Sequence, residues 1–271
     1  MLEGKKVAVI GVGTVGAALI SGLIKSRLLP PEAIAGSTAH RETAEEAAKR
    51  LGIEMTLDNR NLVRGKDVVI LATKPKTVPK VLGEIRDVIG PEQLLVSVAA
   101  AITTRAIEDA LGKGIPVVRA MPNMPCLVRE GMTVLCAGRF ATEEHLALAR
   151  EIFGAVGRVA VVEDEELMDP VTALSGAGPA YAYIIIEALA EGGVKMGLPR
   201  RLATELAAQT LLGSAAMVLR TGEHPALLKD MVTTPAGVTV DGIMALEEGG
   251  IRVDLIKAVM AATQRARELV R

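Results

Sequence analysis

The chain has 271 residues, 31 basic against 32 acidic, and a formal net charge of −1. That length suggests two domains, and that balance argues against nucleic acid or an anionic membrane surface as the main partner. Half of the residues are hydrophobic but only two are Tyr and two Phe, with no Trp, so the core must be aliphatic. No uninterrupted apolar run reaches the ~18 residues of a membrane span. The opening Met1–Lys6 runs straight into a strand pattern, so a signal peptide is not expected. Two cysteines, Cys126 and Cys136, and three scattered histidines predict neither a disulfide framework nor a metal site, and fit a reducing cytoplasmic compartment.

The first half alternates short aliphatic runs with helical patterns. Strands are predicted at 6–10, 33–36, 67–72, 94–98, 116–120, 133–137 and 158–162. Helices are predicted at 13–25, 42–51, 77–89, 102–111 and 142–153. Such alternation reads as an α/β domain with a Rossmann-type parallel sheet over residues 1–164. From 165 to 271 every pattern is helical: 171–174, 180–196, 200–221, 225–230, 240–248 and 252–271. The acidic stretch Glu163–Glu166 reads as a solvated connector at this boundary. Gly192-Gly193 within a helix predicts close helix–helix contact.

Val7–Ile10 leads into Gly11-Val12-Gly13-Thr14-Val15-Gly16. Gly11 permits a tight turn, Gly13 admits a pyrophosphate to the backbone, and Gly16 lets the helix lie on the strand. A dinucleotide is therefore expected at this helix N-terminus. At the second strand's end, where an NAD site usually carries Asp or Glu, stand Ser37, Thr38, His40 and Arg41. Hydroxyls with a nearby cation suit a 2′-phosphate, which favours NADP(H), with NAD(H) the second choice. Two later strand ends, Ala72-Thr73-Lys74-Pro75 and Ala99-Ala100, should border the cofactor. Lys74 reads equally as cofactor-facing or as a helix-start cation.

The segment 230–242, Asp-Met-Val-Thr-Thr-Pro-Ala-Gly-Val-Thr-Val-Asp-Gly, gathers small hydroxyl residues, Pro and Gly between helical patterns. It offers main-chain N–H groups and short hydroxyls with no strong base. Such a loop can hold a small carboxylate and polarise a nitrogen. Beside a dinucleotide site, it points to reduction of a cyclic imino acid. Thr239 reads alternatively as the N-cap of a helix beginning at Val240.

With these tracts, and with 73–75 (Thr-Lys-Pro), 119–125 (Arg-Ala-Met-Pro-Asn-Met-Pro), 169–181 and 192–198 in order, the whole chain resembles the pyrroline-5-carboxylate reductase family. The resemblance implies a Rossmann domain followed by an all-helical dimerisation domain, with dimers that assemble in fives. It implies hydride transfer to the C=N bond of 1-pyrroline-5-carboxylate, giving L-proline in amino-acid biosynthesis. It carries Ser37 and Asn59 to the adenosine end, Ala72, Lys74 and Pro75 to the ribose, and Ala99, Ala100 and Asn123 to the nicotinamide. It carries Thr234, Gly237, Val238 and Thr239 to the substrate, the Thr239 hydroxyl to the imine nitrogen, and Glu223 to a substrate-side position.

Two positions depart from the family pattern. Ala236 stands where Gly is usual, and a methyl there requires a negative φ. Ala177 replaces a usual Ser. The alternatives are a reductase of another cyclic imine such as piperideine carboxylate, a β-hydroxyacid dehydrogenase-like enzyme, and a cofactor-sensing scaffold. The dehydrogenase would need a Lys shortly after Gly176-Ala177-Gly178, and none is there.

Overall fold

The computed structural model describes residues 1–269. In chain order the first part runs β1 (Val7–Ile10), α1 (Thr14–Lys25), β2 (Ile34–Ser37), α2 (Arg41–Leu51), β3 (Glu54–Thr56), α3 (Asn59–Val63), β4 (Val68–Leu71) and α4 (Val78–Ile85). It continues through β5 (Leu94–Ser97), α5 (Thr104–Leu111), β6 (Val117–Met121), β7 (Gly131–Ala137), α6 (Glu143–Gly154), β8 (Gly157–Val162) and α7 (Met168–Val171), followed by a π-helical turn over Thr172–Gly176. The helical part comprises α8 (Gly178–Lys195), α9 (Arg200–Thr221), α10 (Pro225–Met231), α11 (Val238–Glu248) and α12 (Ile251–Leu269). The helix expected to reach 271 thus has its last two positions outside the described residues.

Eight strands form one sheet in the order β3-β2-β1-β4-β5-β6-β7-β8. The first six strands run parallel; β7 is antiparallel to β6, and β8 is parallel to β7. The residues of β1, β2, β4 and β5 are all buried, as expected where helices cover both faces of a parallel sheet. One apolar cluster joins Val7, Val9, Leu19, Leu23, Ile70, Val96, Ile152 and Phe153; the other joins Ala8, Ile10, Val69, Leu71, Leu82, Ile85, Leu95 and Ile107 on the opposite face.

The chain divides into two compact units, Met1–Ala177 with the end of α12 from Ala262, and Gly178–Ala261. The sequence reading set the division after 164. The compact unit runs further because residues 165–176 are bonded to the sheet. Glu165 accepts hydrogen bonds from the Thr104 N–H and hydroxyl at 2.8 and 2.7 Å and pairs with Arg119 at 3.1 Å. Met168 is fully buried against Val134 and Cys136, and Ser175 meets Asn123. Glu165 is therefore a clamp between β6 and α5, and not part of a solvated connector.

The second unit has a small alanine core, Ala190, Ala203 and Ala207, flanked by Ile186 and Val194. A methyl on Gly193 would sit 3.2 Å from the Ala203 Cβ, so the expected close approach of α8 and α9 is present there. Many large apolar side chains of this unit are exposed, among them Leu212, Met217, Leu219, Leu227, Met244, Ile256 and Met260. The stretches Glu165–Lys195 and Arg200–Thr221 are long and apolar enough to cross a membrane, by length and composition. Each stretch is interrupted by charged residues, among them Glu187 and Glu205.

Candidate dinucleotide site and substrate loop

The turn after β1 is shaped by its glycines. Gly11 has φ +95°, and a Cβ there would lie 2.8 Å from the Ala72 carbonyl oxygen. A Cβ on Gly16 would lie 2.6 Å from the Gly11 oxygen, so α1 rests on the turn itself. Around Gly13 nothing lies within 4 Å of that position, which leaves the backbone open at the N-terminus of α1. Close packing at Gly11 and Gly16, with open backbone at Gly13, is the cradle a pyrophosphate requires.

Gly11, Ser37, Thr38, Asn59, Thr73, Thr77, Lys80 and Glu84 line one cleft of about 190 Å³ at the carboxyl ends of β1, β2 and β4. The Thr73 hydroxyl is buried there without a hydrogen-bond partner among the described residues. An orphaned hydroxyl beside an open phosphate turn fits a polar ligand. Val12, Gly13 and Thr14 border a larger groove of about 740 Å³ along α1 and α2, with Lys25, Glu46 and Arg50.

Asn59 enters the cleft because Asp58 caps α3, accepting from the N–H groups of Arg60 and Asn61. The Ser37 hydroxyl donates to Asn59 Oδ1 at 2.6 Å, and Asn59 Nδ2 donates to Glu84 Oε2 at 2.7 Å. The Thr38 hydroxyl donates to the His40 carbonyl at 3.0 Å. His40 and Arg41 are exposed. Sequence reasoning missed β3, α3 and Glu84; the Asp58 cap was the available signal for α3.

Of the other expected residues, Val15, Ala72, Pro75 and Ala100 are half-buried and Lys74 is exposed, preceding a short 3-10 turn at Pro75–Thr77. Ala99 is 3% exposed, so its methyl belongs to the core. The Asn123 side chain is committed to the protein: its Oδ1 accepts from the Met132 N–H at 2.8 Å and its Nδ2 donates to the Ser175 carbonyl at 3.2 Å. It joins β7 to the π-helical turn, where a widened backbone leaves carbonyls to satisfy. Cys126 and Cys136 are buried free thiols. Burial raises the pKa of both; at Cys136 the nearby Glu165 carboxylate adds to burial and the thiol is pushed up to about 11.

In the second unit, Thr234, Pro235, Ala236 and Gly237 form a turn closed by the Gly237 N–H on the Thr234 carbonyl at 3.0 Å. Ala236 has φ +56°, contrary to the expected negative value. Pro at the second turn position followed by a positive φ is the type II pattern, and it imposes the left-handed conformation on whatever residue stands third. The N-cap of α11 is Gly237, so Thr239 lies inside the first turn and is not the cap. Its hydroxyl has no hydrogen-bond partner among the described residues, and the first-turn N–H groups of Val238 and Thr239 have no helical acceptor. Val238 and Thr234 are exposed and Thr239 is half-buried. Glu223 is exposed in the link between α9 and α10, its N–H bonded to the Thr221 hydroxyl.

A mostly parallel sheet with a phosphate turn after its first strand, joined to a helical unit, defines a dinucleotide-dependent oxidoreductase class. The model for "Pyrroline-5-carboxylate reductase dimerisation" matches residues 165–269, and that for "NADP oxidoreductase coenzyme F420-dependent" matches 6–101. A pyrroline-5-carboxylate reductase of Methanosarcina acetivorans is 46% identical over 268 residues, covering 99% of each chain. The solved pyrroline-5-carboxylate reductase of Coxiella burnetii superposes with a TM-score of 0.93 at 37% identity, covering 98% of this chain and 99% of the other. A Plasmodium falciparum pyrroline carboxylate reductase with NADP bound gives 0.88 at 30% identity, covering 99% of both. The chain belongs to the pyrroline-5-carboxylate reductase family, NAD(P)H-dependent oxidoreductases acting on a C=N bond. Its helical half is that family's self-association domain.

Proposed function

We propose that this chain reduces 1-pyrroline-5-carboxylate to L-proline with NADPH. The observation that carries this reading is full-length kinship with such reductases, 46% identical in one case, in a chain whose 233–239 loop has donors and no strong base. The bound nicotinamide supplies the hydride. The open backbone at Gly13 and the N-terminus of α1 hold the pyrophosphate, flanked by Gly11, Val12, Thr14, Val15 and Gly16. Ser37, Thr38 and Asn59 face the adenosine ribose, and Ala72, Thr73, Lys74 and Pro75 border the next sugar. Ala99 and Ala100 offer backbone near the ring, and Asn123 braces that edge.

On the substrate side, the N–H groups of Val238 and Thr239, with Thr234 and Gly237, receive the carboxylate. The Thr239 hydroxyl donates to the imine nitrogen, and Glu223 stands near the substrate's entry. The C=N carbon is already electron-poor, and a hydrogen bond donated to the nitrogen lone pair polarises it further, so positioning is the main demand; oriented placement supplies on the order of 7–11 kcal/mol in favourable cases. Assembly follows the family: dimers through the helical units, five to a ring, in the cytoplasm.

The test is direct. Protein mixed with NADPH and pyrroline-5-carboxylate should consume reduced cofactor and yield proline. Turnover with a six-membered cyclic imine and none with the five-membered one would replace this assignment with that of the rival reductase.

A further inference from the structure

We infer that Glu84 sets the cofactor selectivity of the adenosine cleft by fixing Ser37 as a hydrogen-bond acceptor. This rests on the dinucleotide reading of that cleft. A carboxylate only accepts hydrogen bonds. With Glu84 Oε2 at 2.7 Å, Asn59 must present its NH₂ group to Glu84 and its oxygen to Ser37. Ser37 then spends its only proton on Asn59, at 2.6 Å, and offers the cleft lone pairs alone. Thr38 is in the same state, its proton spent on the His40 carbonyl.

Ser37 is the last residue of β2, the position at which this fold reads the ribose 2′ substituent. A ribose hydroxyl can donate to such an oxygen. A 2′-phosphate, rich in acceptors, faces lone pairs and a carboxylate. The Ser37 hydroxyl, which by sequence alone suits NADP(H), is therefore turned by Glu84 toward the unphosphorylated cofactor, and Lys80, His40 and Arg41 remain the groups that favour the phosphate. Lys80 lies 3.9 Å from Glu84, so part of its charge is already answered.

Glu84→Gln keeps the shape and removes the constraint: the glutamine can donate to Asn59, the Asn59 amide can turn, and Ser37 regains a proton for the phosphate. Calorimetric titration of NADP⁺ and NAD⁺ tests this without turnover. The ratio of NADP⁺ to NAD⁺ affinity should rise about tenfold in E84Q, the worth of a hydrogen bond to a charged group. In a Ser37→Ala background the same change should move the ratio less than about twofold. An equal shift with and without Ser37 would assign the effect to charge removal or to Lys80 and overturn the Ser37 route. An unchanged ratio in E84Q, with both nucleotides still binding, would overturn the inference. Failure of the wild type to bind either nucleotide would instead overturn the dinucleotide reading beneath it.

Discussion

Ala236 holds a conformation that L side chains avoid, at φ +56° in the turn before α11. A left-handed alanine costs roughly 1 kcal/mol, and glycine would remove that strain while adding about as much unfolded-chain entropy. Ala236→Gly should accordingly shift stability by less than about 0.5 kcal/mol, whereas Ala236→Val, β-branched in the same turn, should cost about 1–2 kcal/mol. Urea titration distinguishes the two. Three positions on, Thr239 carries a hydroxyl with no partner within the described chain. Thr239→Ala should lower kcat about fivefold to tenfold, the worth of one neutral donor, and leave NADPH affinity unchanged in a binding titration. Full retained turnover would remove Thr239 from the reaction. The thiols give a third residue-scale expectation. With Cys136 pushed up to about 11 and Cys126 also raised by burial, neither should react with a charged disulfide reagent at neutral pH until denaturant is added.

Among elements, the clearest energetic consequence belongs to the Glu165 clamp. The Arg119 side chain is 4% exposed, and truncating Glu165 to Ala would strand its guanidinium and leave the Thr104 N–H and hydroxyl at the start of α5 without their acceptor. Breaking a buried pair from one side costs about 3–5 kcal/mol, and chemical denaturation should read a loss in that range. The clamp also marks the limit of what the chain's pattern discloses. Strands β1, β4 and β5 were legible as uninterrupted aliphatic runs, and α9 as a helical pattern over 200–221, because those signals are local. Glu165 meets partners 46 and 61 residues away, so its acidic neighbourhood resembled a solvated link. β3 and α3 were missed because three and five residues carry too little periodicity. The phosphate turn was readable from glycine spacing. The polarity of Ser37 was not, since it depends on Glu84, far along the chain in α4 and reached through Asn59.

For the whole molecule, the decisive feature is the apolar surface of the helical unit. Leu212, Met217, Leu219, Leu227, Met231, Met244, Ile256 and Met260 are all exposed in the single chain, far more than an isolated soluble unit ordinarily displays. The match to the family's dimerisation domain supports self-association of the chain. Light scattering should therefore give at least a dimer at micromolar concentration, and thermal unfolding should shift upward as protein concentration rises. A stable monomer would contradict this assignment.

The acid at residue 165 also has a temporal meaning. A ribosome releases α5 and β6 long before it adds their common partner, so Thr104 at the start of α5 waits without its acceptor and Arg119 waits unpaired while α6 and β8 are being made. Maturation of the nucleotide-binding half is thus tied to the arrival of the helical half's opening residues. A gene fragment ending at 164 should yield a loose, protease-sensitive product where one extended through Ala177 gains protection, an ordering that limited digestion of the two fragments would expose.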